Sequence, residues 1–213
     1  MLKMIDSDAG ELFDEWAKSG RGEPMAEGHA PAVEYMLQHA HRLLLNEKSR
    51  YRSIDIGCGT GWAVRWLNSK IECEQSIGID VSPSMIERAR GLDVGRENAY
   101  VCANIQKWIP TSPVDLITSM EVLYYLNPID SFLNCVRQSW LLSGGLFIAG
   151  LDHHPDNPRS ESWSADLNLE MDRSNDNIWR NRLIDAGFSD VETWLKKLEG
   201  RKDVTLFIQA RKL

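Results

Sequence analysis

Between residues 51 and 211, short apolar runs suited to strands take turns with amphipathic runs suited to helices. No other feature of the sequence narrows the fold as much. "YRSIDIG" (51–57) reads as a strand, "WAVRWLNS" (62–69) as a helix and "QSIGIDV" (75–81) as a second strand. "SPSMIERAR" (82–90) opens a helix with Ser82 as its cap and Pro83 at the first helical position, where an N–H would be unpaired anyway. "AYVCANI" (99–105) and "VDLITSME" (114–121) give a third and fourth strand. "NPIDSFLNCVRQSWLL" (127–142) repeats the cap-then-proline start, sets Phe132, Val136 and Trp140 on one helix face, and turns at 143–145 into a fifth strand, "LFIAGL" (146–151). "NIWRNRLIDAGF" (177–188) is a helix closed by Gly187, and strands follow at 190–198 and 203–211 with only a charged turn between them. This pattern predicts an α/β fold: a doubly wound, mostly parallel sheet of seven strands with helices on both faces and an antiparallel last strand.

One domain accounts for residues 1–213. Residues 1–48 form an N-terminal arm, with Leu12, Phe13 and Trp16 as an apolar stripe, and then a helix from about Pro31 to Leu45. Residues 152–176 are polar and lack a helical or strand period. They leave the carboxyl end of the fifth strand, the edge where open α/β sheets hold ligands, so they are expected to form a substrate lid.

"SIDIGCGTGWAVRWL" (53–67) runs from strand to helix through Gly57, Gly59 and Gly61. Glycines so dense let a ligand touch bare backbone and let the chain enter the helix. A dinucleotide site would want a small residue at the third fingerprint position, which here is Trp62. A nicotinamide-dependent oxidoreductase is disfavoured at that residue. Asp80, at the tip of the second strand, suits the two hydroxyls of a ribose, or alternatively the N-terminal charge of the helix that Ser82 caps.

"IDIGCGTG" followed by "GIDVSPSMIERAR" resembles the first two motifs of class I S-adenosylmethionine-dependent methyltransferases. The likeness continues through "CANIQKW", "VDLITSMEVLYYL", "WLLSGGLFIAG" and "IDAGFSDVE", over about residues 50–211. Within that group the chain is most similar to the small type 11 and type 12 enzymes, which implies the Rossmann-like methyltransferase fold. The resemblance implies S-adenosyl-L-methionine as cofactor and S-adenosyl-L-homocysteine as product. It places Gly57, Cys58 and Gly59 against the methionine part, Asp55 near the amino group, Asp80 on the ribose and Val81 on the adenine. Asn104 stands where relatives often carry Asp; its carbonyl would accept from the adenine amino group, and the Ile105 N–H would address the ring. Ser119 and Met120 would line the methyl-donor side, with Trp16 and Arg21 closing over the cofactor.

Methyl transfer needs nucleophile, methyl and sulfur on one line, and a base where the acceptor ionises poorly. His153 and His154, beside Asp152, are the candidate bases, with Tyr124 as a further catalytic candidate. An aromatic such as Tyr124 or Tyr125 next to a sulfonium also gains cation–π attraction. Trp163 would roof the acceptor pocket, and Glu121 would contact a cationic acceptor. No metal-ligand spacing is present among the four cysteines.

A net charge of −7, with no dense run of Lys or Arg, argues against nucleic acid as the partner. The first twenty residues are acidic and lack the apolar core of a signal peptide, and no apolar stretch reaches the length of a membrane span. These features, with cysteines scattered in apolar surroundings, point to the cytoplasm. The leading expectation is methyl transfer to a small-molecule acceptor. Methylation of a protein or RNA with a partner, and a non-catalytic S-adenosylmethionine-binding protein, are the alternatives.

Overall fold

The computed structural model describes residues 5–20, 22–96 and 99–213. Seven strands form one sheet: β1 (Tyr51–Ile56), β2 (Cys73–Asp80), β3 (Tyr100–Cys102), β4 (Val114–Met120), β5 (Leu141–Leu151), β6 (Ser189–Lys197) and β7 (Val204–Arg211). Their spatial order is β3-β2-β1-β4-β5-β7-β6. The first five pair in parallel, and β7 inserts antiparallel between β5 and β6. The expected α/β sheet and its antiparallel last strand are therefore present.

Alternation along the strands builds a core on each face. Ile117, Phe147, Ala149 and Ile208 pack with Phe132, Leu133, Trp140, Trp179 and Leu183 on one side. Those side chains come from α5 (Ile129–Cys135), the π-turn that follows it, and α7 (Asp176–Asp185). Leu116, Leu146, Ile148 and Phe207 point the other way, onto Met36, Leu37, Ala40 and Leu44 of α2 (Gly22–Leu45) and Leu67 of α3 (Trp62–Asn68). Ile86 and Ala89 of α4 (Pro83–Leu92) close the β3 end against Val64 and Tyr100.

Four boundaries differ from the sequence expectation. Helix α2 begins at Gly22 and carries Pro31 inside it. Proline removes one helical N–H, but the carbonyl it orphans belongs to Glu27, an exposed residue that water can reach. Before it, α1 (Ile5–Lys18) occupies the arm. Strand β3 stops at Cys102, because the Asn104 side chain accepts the Gln106 N–H at 2.9 Å and turns the chain. Strand β5 starts at Leu141, directly after the π-turn, and absorbs residues 143–145 as a register shift against β4.

Residues 152–176 hold a 3₁₀ turn (Pro158–Ser160) and α6 (Trp163–Leu167). The Asn157 amide donates to the Asp152 carbonyl at 2.8 Å and the Asp172 N–H to the Tyr124 carbonyl at 2.8 Å. The first bond closes a turn within the segment, and the second ties it to the loop after β4.

Candidate functional site

Strand order reverses around β1, whose neighbours β2 and β4 lead away to opposite sides. Beyond the carboxyl ends of these strands such a sheet leaves a crevice. Here it is a cavity of about 470 Å³, within the range of small-ligand sites. Its floor comes from the loop after β1, the tip of β2 and residues 120–126; helices α1, α2 and α6 wall it.

The glycine turn is shaped by two opposing demands. Gly57 and Gly59 both have positive φ, +67° and +50°, which side chains rarely adopt. A Cβ on Gly57 would lie 2.1 Å from Val122 Cγ2, so the first glycine lets the turn pack under the 121–126 loop. A Cβ on Gly59 would meet nothing within 4 Å, so the second leaves backbone bare toward the cavity. Asp80 braces this arrangement. Its Oδ2 accepts the Gly59 N–H and its Oδ1 the Ser82 N–H, each at 2.9 Å. Burial raises its pKa, with the backbone donors opposing. With these donors in place the carboxylate still keeps a lone pair for an external hydroxyl.

Asp55 lies 5% exposed one strand inward, taking the Thr118 hydroxyl on Oδ1 at 2.7 Å. Burial pushes its carboxyl up to about 7; the Thr118 bond opposes this and the Asp80 charge adds to it. Cys58, Val81, Ile105 and Met120 line the cavity with Gly57, Gly59, Asp55 and Asp80. Ser119 and Asn104 lie outside that lining. The Ser119 hydroxyl donates back to the Ile56 carbonyl at 3.2 Å, and the Asn104 carbonyl serves the turn after β3.

Helix α1 covers the crevice with Ala9, Phe13 and Trp16. Gly10 permits its approach, since a Cβ there would touch Val81 Cγ1 at 3.2 Å. Asp14 ties it down by accepting the Ser82 hydroxyl at 2.9 Å and the Ser84 N–H at 2.8 Å. Arg21 lies outside the described residues.

The candidate bases do not come together as the sequence suggested. His153 and His154 are buried, 1% and 0% exposed, and neither lines the cavity. The chain turns sharply after β5, with the His154 N–H on the Asp152 carbonyl at 3.2 Å, and this tucks both rings inward. His153 stacks on Trp163 at 5.8 Å, while His154 Nε2 meets the Val204 carbonyl at 2.9 Å. Trp163 does line the cavity, as does Tyr124, whose hydroxyl donates to Glu121 Oε2 at 2.7 Å.

The imidazole that does line the cavity is His29, from the part of α2 that precedes Pro31. Its Nδ1 is 3.4 Å from Asp152 Oδ2, an ion-pair contact rather than a closed hydrogen bond. Asp152 is also held by the Arg201 guanidinium and, at 2.6 Å, by the Thr205 hydroxyl. Glu121 completes the group, its backbone at φ +60° and its Oε1 on the Asp152 N–H at 2.5 Å. Helical continuation ahead of Pro31 was the signal that would have brought His29 forward.

Comparison with known proteins places this geometry. A methyltransferase-domain family matches residues 54–149, the stretch that holds the glycine turn, Asp80 and β4. Over that stretch, just under half of the chain, the sequence is similar to methyltransferase domains. A malonyl-[acyl-carrier protein] O-methyltransferase of Acetivibrio thermocellus is 28% identical over 109 residues, 51% of this chain and 38% of that protein. A trans-aconitate 2-methyltransferase of Escherichia coli O1:K1 / APEC is 36% identical over 101 residues, 47% of this chain and 37% of that protein. The matched stretches thus span less than two-fifths of these relatives. In structure, a methyltransferase solved in complex with the Haloferax volcanii Trm112 methyltransferase activator superposes with a TM-score of 0.75 at 21% identity, covering 94% of this chain and 97% of that one. This last likeness is one of fold.

Proposed function

We propose that the chain transfers the methyl group of S-adenosylmethionine to a small-molecule acceptor bound in the cavity walled by α1, α2 and α6. The observation that carries this reading is the open backbone face at Gly59, braced by Asp80. That cradle fits an adenosyl cofactor: bare backbone for the methionine part, a carboxylate with a spare lone pair for the ribose, and Val81 and Ile105 for the adenine. Asp55 would hold the amino group, directly or through water.

When bound, S-adenosylmethionine supplies a methyl already activated on a sulfonium. The protein's part is then orientation, charge and exclusion of water. Asp55, Asp80, Glu121 and Asp166 line the cavity, and no Lys or Arg does so among the described residues. An acidic lining favours a cationic cofactor. Tyr124 and Tyr125, with ring centroids 4.5 Å apart, offer aromatic faces near the donor side. Trp163 and Leu167 of α6 roof the acceptor end, and residues 152–176 act as the lid over it. The four cysteines are free thiols and no described helix is long and apolar enough to cross a membrane; we place the protein in the cytoplasm.

A thermal-shift comparison of S-adenosylhomocysteine with NADH tests the ligand class, because selective binding to the folded state raises the melting temperature. Stabilisation by the thioether and none by NADH is expected; the reverse overturns the reading. Transfer of labelled methyl from S-adenosylmethionine to metabolite extracts tests catalysis. Tight cofactor binding without any transfer would favour a non-catalytic binder. Transfer that appears only with a second protein would favour a partner-dependent enzyme.

A further inference from the structure

We infer that His29, oriented by Asp152, is the base that removes a proton from a neutral protic acceptor, a hydroxyl or an amine on a largely apolar molecule. This rests on the methyltransferase reading and adds to it the acceptor class and the residue that meets it.

Position comes first. His29 and Val33 on α2 line the same cavity as Trp163 and Leu167 of α6. The Nδ1 atom is buried and turned toward Asp152, which leaves Nε2 as the ring nitrogen available to a ligand. Asp152 is 1% exposed and anchored by Arg201 and Thr205, so it holds its place while the ring gains and loses a proton.

Charge supports the assignment. The groups facing His29 are Asp152 at the end of β5, Glu121 after β4 and Arg201 in the β6–β7 turn. Burial favours the neutral ring, but Asp152 and Glu121 outweigh it, so the His29 pKa lies above the usual 6.5. Burial disfavours the Asp152 anion too, and His29, Thr205 and Arg201 outweigh that, so Asp152 remains the anion. Burial and then the Asp152 charge push Glu121 upward, which makes it the weaker anion of the two.

Two alternatives fit less well. The ligand atoms of His29, Glu121 and Asp152 lie within 4.8 Å of one another, a spacing a metal ion can bridge. However, both Asp152 oxygens are already engaged, one by a guanidinium whose charge repels a cation. An acceptor with several carboxylates would want Lys or Arg around it, and among the described residues the cavity wall has none.

In the reaction the acceptor's X–H bond breaks and its proton passes to His29 Nε2. An electron pair on X, the one freed from a hydroxyl's O–H or the lone pair of an amine, forms the X–C bond as the C–S bond breaks, and the C–S pair stays on sulfur. The products are the methylated acceptor, S-adenosylhomocysteine and a proton that His29 returns to solvent.

The test uses the full chain, with 2-naphthol and aniline as neutral hydroxyl and amine probes and trans-aconitate as the polycarboxylate. Removing a general base costs about 100-fold or more in rate, so His29→Ala should lose turnover of the aromatic probes to that extent, and added imidazole should restore part of it. His29→Gln is the second variant should His29→Ala fold poorly. Calorimetric binding of S-adenosylhomocysteine should survive in both. Labelled-imidazole NMR should find His29 titrating above 6.5, and lower in Asp152→Asn, with the pH–rate inflexion moving alongside. Absence of S-adenosylhomocysteine binding in the wild type would overturn the methyltransferase reading itself. With that binding intact, the inference on His29 is overturned by unchanged turnover in His29→Ala. Turnover of trans-aconitate alone, or silence toward both aromatic probes, overturns the acceptor class. Stabilisation of EDTA-treated protein by Mg²⁺, Ca²⁺ or Zn²⁺, lost in His29→Ala, overturns the proton role.

Discussion

The Thr118 hydroxyl on β4 donates to Asp55 Oδ1 on β1 at 2.7 Å, across neighbouring strands at the floor of the cavity. That one bond does not offset burial, and the carboxyl titrates near neutrality, at about 7 instead of 3.8. Two consequences follow for pH. A folded-state pKa above the unfolded one means the folded protein keeps a proton that the unfolded chain releases. Stability from this group is therefore full below about pH 4 and declines until the pH passes about 7, where it levels off. Chemical denaturation across that range should show the decline, and Asp55→Asn should flatten its share of it.

A cation placed beside Asp55 favours its ionised form. Binding of S-adenosylmethionine should thus release protons and tighten as pH rises through about 7. Calorimetry in buffers of different ionisation enthalpy measures that release. Affinity independent of pH between 6 and 8 (about one unit on either side of neutrality) would remove Asp55 from the cofactor's surroundings.

Helix α1 hangs on Asp14. Its carboxylate takes the Ser82 hydroxyl and Ser84 N–H at the start of α4 and pairs with Lys18 at 2.7 Å. The Lys18 pair and then the Ser84 N–H hold its pKa far below the carboxylate range, so this anchor stays charged at any physiological pH. Asp14→Ala should raise hydrogen exchange along α1 and weaken cofactor binding through Phe13 and Trp16, while the sheet amides stay protected. Unchanged exchange in α1 would count against the anchor.

The glycine turn separates packing from binding. Alanine at Gly57 meets both a positive φ and Val122, whereas alanine at Gly59 meets only the backbone strain, about 1–2 kcal/mol. Gly57→Ala should therefore lower the melting temperature more than Gly59→Ala. Gly59→Ala should still lose cofactor affinity, because its methyl projects into the space left for the ligand.

Removing Arg201 leaves Asp152 buried with an unbalanced charge, a loss on the order of 3–5 kcal/mol for buried pairs. Arg201→Met should destabilise the fold by an amount of that order in urea unfolding. It should also raise the His29 pKa, since a neighbouring positive charge is gone.

Local patterns carried most of the fold and the residues that it gathers around the glycine turn. The strand–glycine–helix stretch at 53–67, Asp80 at a strand tip, and the Ser82–Pro83 start each encode their geometry within a few residues. Contacts made by distant parts of the chain were not legible. His29 meets Asp152 only because α2 runs on ahead of Pro31 and crosses the end of β5, whereas a proline there reads as a helix start. His153 and His154 adjoin Asp152 in sequence, yet the turn after β5 folds both rings into the interior. Asn104 illustrates competition of another kind: its side chain closes a local turn, which periodicity does not reveal.

The cradle formed by Gly59 and Asp80 is the centre of the account, and titration calorimetry with S-adenosylhomocysteine on wild type and Asp80→Ala tests it most directly. Hydrogen bonds to a charged group contribute about 1.5–3 kcal/mol, so the wild type should bind with measurable heat and Asp80→Ala some 10–100-fold more weakly. No heat from the wild type, or equal affinity in the two proteins, would contradict it.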